Sequence, residues 1–479
     1  MLILGATFGL RLIQIDQPIV ENYVGRQIPT AMVARNLDRG SGFGRPELDV
    51  APFPNLFLVE PPIYEAAVVL LRRMSGLTLN SSGRAVSAFG ITLAAWGLFG
   101  LTARRRGDRH ALAIIACFAI FPVTIRYGRA FQPDALMLGT ILAGLRFWDE
   151  SETNPSWITL HAAWLLTALG FALKITSAFV LAPLLLVILA RRRFSLKIMA
   201  MGCLLPAIAW YLHAAGLLGN SETTSGASAE NGRIWLNVLI PWALFQGSTY
   251  RHLFRFLIVR AFTPIAPLLA VAGFWGGLSE DRLWKVWGLA ALATLAMLSA
   301  KLHHEYYLLI LAPVIAVGLI NTLARIGRGG RWGRLVAGIL AASFVAGCWL
   351  GSASTWKTPR EWSGIAEAGR EIGEKVGEDR WIVAPEALIY EANRKGCRLE
   401  YTSLSARRAA IEWGVEWTGE QPIDLVEFYR ARGADYFADL AFDDEPLERR
   451  GLHNAVRRRY KIMIDRPGLL LARLTDLEP

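Results

Sequence analysis

The stretch that decides the fold reads RAVSAFGITLAAWGLFGLT at residues 84–102, ARRRGDRH at 103–110 and ALAIIACFAIFPVT at 111–124. Two apolar blocks are joined by a short, strongly basic link. A helix rises about 1.5 Å per residue, so blocks of this kind can cross a hydrocarbon core of about 30 Å. The stretch therefore predicts two membrane helices with a basic turn between them.

Similar apolar blocks recur along the whole chain of 479 residues, which is 53% hydrophobic and only 19% charged. Soluble domains are roughly 25% charged. This composition excludes a simple cytosolic enzyme, a disordered scaffold, a collagen-like chain and a disulfide-stapled secreted domain. The four cysteines form no CxxC pair, so neither a zinc ribbon nor a redox centre is indicated. With the first pair, the blocks number about eleven, and the others lie at 2–15, 135–148, 157–173, 175–190, 198–217, 261–278, 286–300, 306–323 and 335–351.

The net charge of +11 comes from the membrane part, where basic residues cluster between apolar blocks. Such clusters mark cytoplasmic loops under the positive-inside rule, and we prefer this interpretation to nucleic-acid binding. If the amino terminus lies inside and the chain crosses about eleven times, all three clusters are cytoplasmic and the C-terminal domain lies outside. The clusters are Arg104, Arg105, Arg106 and Arg109; Arg191, Arg192, Arg193 and Lys197; and Arg325, Arg328, Arg331 and Arg334.

We predict a transmembrane domain over residues 1–352 and a soluble, extracytoplasmic α/β domain over 353–479. The outer loop 16–80 is expected to carry interfacial helices, one at 28–37 and one opened by Pro61 and Pro62. The second would present an apolar face, and the later part of outer segment 219–260 would lie on the membrane surface. In the α/β domain we expect helices at 361–376 and 423–431, strands at 381–384 and 436–438, and a hairpin of 460–464 with 469–474. The apolar face of the helix opened by Pro61 and Pro62 consists of Ile63, Ala66, Ala67, Leu70 and Leu71.

Several charged residues lie in or beside apolar stretches, where a charge is costly unless it has a partner or a function. Lys174 is the only charge in a long apolar stretch, so it either binds an anion such as phosphate or snorkels to the interface. Arg126 and Arg129 could pair with Asp134, bind phosphate, or snorkel. Asp134 itself is either functional or an N-cap of the helix that follows it.

Other outer segments carry sequence elements in a fixed order. They read RQ..TA..AR (Arg26, Gln27, Thr30, Ala31, Ala34, Arg35), P..D (Pro46, Asp49), E.PIY (Glu60, Pro62, Ile63, Tyr64), GR..QPD (Gly128, Arg129, Gln132, Pro133, Asp134) and HHEYY.L...P (His303, His304, Glu305, Tyr306, Tyr307, Leu309, Pro313). Together they resemble the bacterial lipid-linked-sugar glycosyltransferases of the GT-C superfamily, of the protein O-mannosyltransferase-like and aminoarabinose-transferase-like kinds. The resemblance covers most of the membrane part.

This resemblance implies transfer of a hexose or pentose from a polyprenyl-phosphate carrier to a cell-envelope acceptor at the outer face of a bacterial inner membrane. It leaves open whether the anomeric centre is inverted or retained. Such a displacement needs a carboxylate base and cations for the departing phosphate. The candidate bases are the outward acids Asp49, Glu60, Glu21 and Asp134, and the candidate phosphate ligands are Lys174, Arg126 and Arg129. Many relatives carry an acid just after RQ, where this chain has Ile28, Pro29 and Thr30, so that base cannot be transferred.

The remaining elements are expected to line the site: Arg26, Gln27, His303, His304, Glu305, Tyr306 and Tyr307. For residues 303–307 the alternative is an aromatic belt with polar caps. Their spacing is not that of a zinc protease, so a divalent metal is not favoured, although it is not excluded, and the sequence indicates no certain cofactor. A transporter or flippase of lipid-linked glycans is the main alternative function, but no repeated halves are evident. A structural or sensory protein would leave Lys174 and the loop elements unexplained.

Overall fold

The computed structural model describes residues 1–21, 23–153, 156–189, 194–219, 242–274, 282–416, 419–442 and 444–475. Its contacts divide the chain into two compact units. We call the first the helical unit; it consists of Met1–Asp16, Glu60–Ala214 and Asn231–Lys357. The second, the mixed unit, consists of Gln17–Val59, Ala215–Glu230 and Thr358–Pro479. Residues 17–59 of the outer loop, predicted as part of the membrane domain, therefore group with the C-terminal domain.

The helical unit is built from helices that follow one another with short links. The α-helices before residue 220 are α1 (Leu2–Leu12), α3 (Ile63–Ser75), α4 (Leu79–Arg106), α5 (Asp108–Ile120), α6 (Pro122–Tyr127), α7 (Asp134–Glu150), α8 (Trp157–Leu173), α9 (Leu181–Leu189), α10 (Phe194–Gly202) and α11 (Leu205–Gly219), while α2 (Val24–Asp38) belongs to the mixed unit. Those after it are α12 (Gly247–Phe254), α13 (Ile265–Phe274), α14 (Arg282–Met297), α15 (Ala312–Gly327) and α16 (Gly330–Ser352). Two 3-10 helices matter for the site, Ile175–Val180 and Glu305–Leu311.

The protein is a multi-pass membrane protein by the length and apolarity of its helices. Within the described residues, four helices are long and apolar enough to span a membrane, or up to five if one bent pair counts as a span. Three shorter apolar helices accompany them. The number of eleven crossings therefore remains a prediction. The four are Leu79–Arg106, Leu196–Leu218, Glu305–Gly327 and Gly330–Trp362.

Helices α4 and α7 cross at glycines, which lets their backbones approach closely. A Cβ atom added at Gly139 of α7 would lie 2.2 Å from the carbonyl oxygen of Gly90 in α4. One added at Gly90 would lie 2.5 Å from the backbone nitrogen of Leu136. Small residues serve this purpose in membrane helix pairs because no hydrophobic force drives helices together in lipid. The crossing fixes the start of α7, where Asp134 lies.

The first helix carries a buried charge, Arg11, whose two terminal nitrogens donate to neighbouring backbone. Arg11 is completely buried and donates to the carbonyl oxygens of Thr7 at 2.7 Å and Ala119 at 2.6 Å. It also lies 3.3 Å from the hydroxyl of Thr124. The carbonyl of Ala119 is near the end of α5, where helix carbonyls lack intrahelical partners. Arg11 therefore joins α1 to the break between α5 and α6.

The helix predicted after Pro61 and Pro62 is present as α3. Tyr64 near its start is buried and bonds the carbonyl of Gly83 at 2.8 Å and the hydroxyl of Ser87 at 2.9 Å, which fixes α3 against α4. Val68 and Val69 are also buried, whereas Leu70 on the predicted apolar face is 61% exposed. An apolar face left open in this way suits a helix at a lipid interface.

The mixed unit contains a five-stranded sheet in the order β4-β3-β5-β7-β6, in which β3, β4 and β5 are parallel and β7 and β6 are antiparallel. Its core holds apolar side chains from the sheet and the covering helices, and Ala51 of the first loop joins this core. The strands are β3 (Trp381–Ala384), β4 (Gly396–Arg398), β5 (Ala434–Asp439), β6 (Lys461–Arg466) and β7 (Leu469–Arg473), and β1 (Glu47–Leu48) pairs with β2 (Asn55–Leu56) in the loop. The helices are α2 and α17 (Ile365–Lys375), α18 (Glu386–Glu391), α19 (Ser403–Ile411), α20 (Pro422–Arg430) and α21 (Leu447–Arg459).

The predicted class, a helical membrane protein with a C-terminal α/β domain, is confirmed. Strand 381–384 and the 460–474 hairpin lie where the sequence placed them, and the helix predicted at 28–37 begins earlier, at Val24. Residues 191–193 of the second arginine cluster lie outside the described residues, as do 220–241 of the outer segment 219–260. The later part of that segment contains α12 and a π-helix over Arg255–Ala261.

We predict that Gly139→Ala lowers the free energy of unfolding by about 1–3 kcal/mol, because the new methyl group meets the α4 backbone and not a movable side chain. The measurement is the thermal midpoint of the detergent-solubilised protein. Gly338→Ala is the matched control, since Gly338 lies in α16 with nothing within 4 Å of an added Cβ. Equal midpoints for both variants would contradict the close crossing.

Candidate functional site

Lys174 and Asp134 form a buried ion pair in the helical unit. The ammonium nitrogen of Lys174 lies 2.6 Å from Oδ1 of Asp134, and both residues are at most 7% exposed. Lys174 follows the last residue of α8, and Asp134 is the first residue of α7. Because α7 packs along α8, the two helix ends bring the charges together. Charged side chains inside a membrane protein are usually paired in this way.

The pairing corrects one expectation about Asp134. The residue before it, Pro133, occupies the N-cap position of α7, and no side-chain cap is formed. Asp134 is the first residue of the helix and lies past the N-cap position, and its carboxylate instead bonds the ammonium group of Lys174. Asp134 therefore pairs with Lys174 and does not cap its own helix.

Two tyrosines cover the ammonium group of Lys174. Its nitrogen lies 4.5 Å from the ring centre of Tyr306 and 5.2 Å from that of Tyr307. An aromatic face attracts a cation within about 6 Å. His304 stacks on Tyr306 with ring centres 5.5 Å apart and planes 8° apart. The predicted lining residues 304, 306 and 307 are thus brought to Lys174.

A second buried ion pair lies beside the first. Arg126 donates from Nη2 to Oε1 of Glu305, and both side chains are at most 3% exposed. Nη1 of Arg126 donates to the carbonyl of Gly351 at 2.7 Å. Arg260 approaches the other oxygen of Glu305 with its Nε at 3.3 Å. Since Glu305 precedes the two tyrosines, residues 305–307 connect both ion pairs. We call the three cations and the two carboxylates of these pairs the cation cluster; they are Lys174, Arg126, Arg260, Asp134 and Glu305.

Sequence reasoning missed two members of this region. Arg260 was assigned only to a surface helix, because its partner Glu305 is distant in the chain. Gln132 lies in the GR..QPD element and is completely buried, yet neither of its amide atoms has a hydrogen-bond partner among the described residues. Oδ2 of Asp134 is also buried without one. Buried polar groups are normally bonded, so these atoms are suited to a bound polar ligand.

Other predicted residues of the helical unit take different positions. Arg129 is completely buried and donates from Nη2 to the carbonyl of Gln14 at 2.8 Å, whereas Asp134 pairs with Lys174. His303 is exposed, with Nδ1 3.2 Å from the carbonyl of Ala300. Glu60 is 6% exposed and lies just before α3. Within the described part of the chain, no group of three His, Cys, Asp or Glu side chains is placed to hold a metal ion.

The predicted residues of the first loop belong to the mixed unit. Glu21, Arg26, Gln27 and Asp49 are all at most 7% exposed. Gln27 donates to the carbonyl of Glu21 at 2.6 Å, and the guanidinium of Arg26 lies 5.0 Å from the ring centre of Phe57. Oδ2 of Asp49 accepts from Nη2 of Arg35 at 2.5 Å and from its Nε at 3.2 Å. The loop residues therefore form a group of their own.

The C-terminal domain contains a buried network around Asp439 at the end of β5. Its carboxylate accepts from the hydroxyl of Tyr401 at 2.9 Å, from Nη2 of Arg449 at 2.5 Å and from the backbone nitrogen of Leu440 at 2.8 Å. Nε2 of His453 lies 2.9 Å away. Burial raises the pKa of Tyr401 well above its usual value, so its hydroxyl stays a donor. The network bonds elements of the domain to each other, which suits a structural role.

Comparison with solved structures shows the class of fold. The crystal structure of ArnT from Cupriavidus metallidurans bound to undecaprenyl phosphate is 12% identical, with a TM-score of 0.64 over 99% of this chain and 97% of ArnT. The oligosaccharyltransferase AglB from Archaeoglobus fulgidus, in complex with an inhibitory peptide and a dolichol-phosphate, is 11% identical, with a TM-score of 0.56 over 96% of this chain and 72% of AglB. Mycobacterial arabinofuranosyltransferase AftD is 14% identical, with a TM-score of 0.56 over 99% of this chain and 40% of AftD. The chain has the GT-C fold.

The family model that matches the sequence covers a smaller part of the chain than the solved structures do. Residues 59–214 match the model of the dolichyl-phosphate-mannose-protein mannosyltransferases. The match covers Glu60, the GR..QPD element and Lys174, while no curated protein sequence matches the chain. The fold of the GT-C superfamily, which the outer elements predicted, is confirmed by the solved structures, and the family model matches about a third of the chain.

We predict that Lys174→Met lowers the free energy of unfolding by about 3–5 kcal/mol, because it leaves the Asp134 carboxylate buried without its counter-charge. Adding Asp134→Asn to Lys174→Met should restore most of the loss, since the uncompensated charge is gone. Thermal unfolding in detergent measures both.

Arg104→Gln is the control for this pair. Arg104 contacts Asp149 at 3.2 Å from a partly exposed position, and Arg105 also holds that carboxylate at 2.6 Å, so little stability should be lost. A Lys174→Met variant as stable as Arg104→Gln would mean that the buried pair has no role in stability.

Proposed function

We propose that the protein is a membrane glycosyltransferase that moves a hexose or pentose from a polyprenyl-phosphate carrier to a cell-envelope acceptor. The observation that carries this proposal is the cation cluster, in which the buried Lys174 and Arg126 and the partly exposed Arg260 lie in one compact unit of a GT-C fold. Its relatives support the choice of donor, because ArnT was solved with undecaprenyl phosphate and AglB with a dolichol-phosphate.

The charges of the cation cluster suit a lipid phosphate. Lys174, Arg126 and Arg260 are three cations, and Asp134 and Glu305 are two carboxylates that compensate them in part. The surplus of one positive charge matches the single negative charge of a phosphodiester. The departing carrier phosphate has more negative charge than the donor, so fixed cations stabilise the transition state more than the ground state. Arg129, which is buried in the GR..QPD element, is proposed as a further ligand.

The reaction needs a base in addition to these cations. The base takes the proton of the acceptor hydroxyl, the oxygen attacks the anomeric carbon, and the bond from that carbon to the phosphate oxygen breaks. The sugar passes to the acceptor, and polyprenyl phosphate leaves with the bonding electron pair. Among the acids, Asp134 and Glu305 compensate the cations. Their proposed task is to hold Lys174 and Arg126 in place.

We assign the base to Glu60, with Glu21 as the alternative. Glu60 belongs to the same compact unit as the cation cluster, and it lies within the stretch that matches the mannosyltransferase family model. Tyr64, four residues on, fixes the start of α3 against α4, so the backbone beside Glu60 is well held. Arg26, Gln27, His304, Tyr306 and Tyr307 are proposed to line the site.

We predict that Glu60→Gln lowers turnover by a factor on the order of 10² to 10⁴, because the amide keeps the shape of the side chain but cannot accept the proton. The affinity for the lipid donor should change little. The measurement is the release of polyprenyl phosphate by purified protein. Glu367→Gln, whose side chain is 70% exposed, is the control. Normal turnover in Glu60→Gln together with an inactive Glu21→Gln would move the base to Glu21.

The proposed location is the bacterial inner membrane, with the mixed unit on the outer side, where lipid-linked donors meet envelope acceptors. We predict that reporter fusions after Arg106, Arg193 and Arg328 score cytoplasmic and that a fusion at Pro479 scores external, because basic clusters stay on the cytoplasmic side. An external score at any of the three clusters would contradict this topology.

The activity itself is tested by deleting the gene and analysing envelope glycans and lipid carriers by mass spectrometry. A glycosyltransferase leaves an acceptor lacking one sugar and an accumulated sugar-phosphate carrier. The purified protein should also release polyprenyl phosphate from the donor when acceptor is present. A flippase would move the intact carrier across vesicles without releasing it, so this product separates the two functions.

A further inference from the structure

The two conspicuous charges of the first loop, Arg35 and Asp49, contact each other. The Asp49 side chain is 2% exposed, and its Oδ2 lies 2.5 Å from Nη2 of Arg35. Arg39 approaches the other oxygen at 3.5 Å from a more exposed position. Two guanidinium groups on one carboxylate fix its orientation. Arg35 lies on α2 and Arg39 is the residue that follows its last turn, so Asp49 attaches the end of that helix to the following β1–β2 segment.

The same residues attach the loop to the C-terminal sheet. Arg35 donates from Nη1 to the carbonyl of Tyr390 at 2.6 Å, and its guanidinium lies 4.6 Å from the centre of the Tyr390 ring. Arg39 donates to the side-chain oxygen of Asn393 at 2.5 Å. Tyr390 belongs to α18, and Asn393 lies just beyond it. Each arginine therefore joins Asp49 to the chain that leads into β4.

The backbone of Asp49 continues this attachment at the sheet edge. Its carbonyl accepts from the nitrogen of Gly396 at 2.9 Å, and the nitrogen of Ala51 donates to the carbonyl of Gly396 at 2.7 Å. Val50 thus forms a parallel bridge beside β4, the outermost strand on that side. An uncovered strand edge tends to pair with other chains, and this segment covers part of it. Phe53 adds an edge-to-face contact with Trp381 at 5.0 Å.

We propose that Asp49 is a positioning residue, and that through Arg35 it holds the segment 17–59 on the edge of the C-terminal sheet. It takes no proton in the reaction. The C-terminal domain is then the platform on which the loop bearing Glu21, Arg26 and Gln27 is built. This proposal rests on the proposed function only in its claim about activity. The attachment itself can be measured without any substrate.

The test compares Asp49→Ala, Asp49→Asn, Arg35→Ala and the double variant Arg35→Ala/Asp49→Ala in the full-length, detergent-solubilised protein. Hydrogen–deuterium exchange is followed in peptides of α2, and turnover with a polyprenyl-phosphate sugar is measured beside it. If Asp49 acts through Arg35, both alanine variants should raise α2 exchange at least tenfold and lose turnover to the same extent. The double variant should be no worse than either, because a shared contact is lost only once.

Asp49→Asn distinguishes positioning from proton transfer. The amide still offers an oxygen to Arg35, so it should retain at least ten times the turnover of Asp49→Ala. A base would lose its activity in both. Arg39→Gln, which removes the weaker contact, should raise α2 exchange less than Arg35→Ala does. Exchange in β7 should stay unchanged in every variant, which shows that the domain itself remains folded.

Arg457→Gln is the matched control. It breaks an ion pair of the same unit, with Asp465 at 2.9 Å, that does not involve the loop, so α2 exchange should not change. Equal inactivity of Asp49→Asn and Asp49→Ala with unchanged α2 exchange would overturn the proposal and make Asp49 the base. If the unmodified protein transfers no sugar, the proposed function fails, while the exchange data still decide whether Asp49 holds the loop.

Discussion

The helical unit depends on the compensation of charges that water does not reach. Lys174 would be costly in an apolar stretch, and its cost is offset by the Asp134 carboxylate and by two tyrosine rings. This requirement determines where α8 ends relative to the start of α7, and the glycine crossing of α4 and α7 sets the position of that start. Arg126 imposes a similar condition, because the segment before α15 must place Glu305 within reach of the Arg126 guanidinium. The structure that keeps these charges satisfied also concentrates cations in one place.

In such a cluster, some charged groups orient the cations while others remain able to bind a ligand. A surface salt bridge contributes little to stability, and its side chains are mobile in solvent. Buried ions that neighbouring groups hold keep their geometry before any ligand binds. In the cation cluster, the carboxylates determine the orientation of the cations, and the buried amide of Gln132 and the second oxygen of Asp134 have bonding capacity left over. A substrate that brings its own phosphate would meet groups that need little rearrangement.

The sequence allowed the membrane class, the C-terminal α/β domain and the GT-C fold to be predicted, because apolar blocks, strand patterns and short sequence elements are local signals. It also pointed to Asp134, Lys174 and Arg126 one by one. It could not say which charge pairs with which, since Lys174 and Asp134 are separated by 40 residues and Arg126 and Glu305 by 179. Arg260 escaped notice for the same reason. The grouping of 17–59 with the C-terminal domain was likewise invisible, because no local pattern marks an edge strand that is completed from a distant segment.

That grouping has a consequence for how the protein is made. Arg35 and the Tyr390 carbonyl that it bonds are separated by 355 residues. At synthesis rates of about 5–20 residues per second, the first loop is complete roughly 20–70 s before its docking strand exists. During that interval Arg35 can pair with Asp49, but the Tyr390 carbonyl and the edge of β4 to which the loop attaches are not yet present. The nascent loop therefore stays without this contact until the chain beyond Tyr390 has been synthesised.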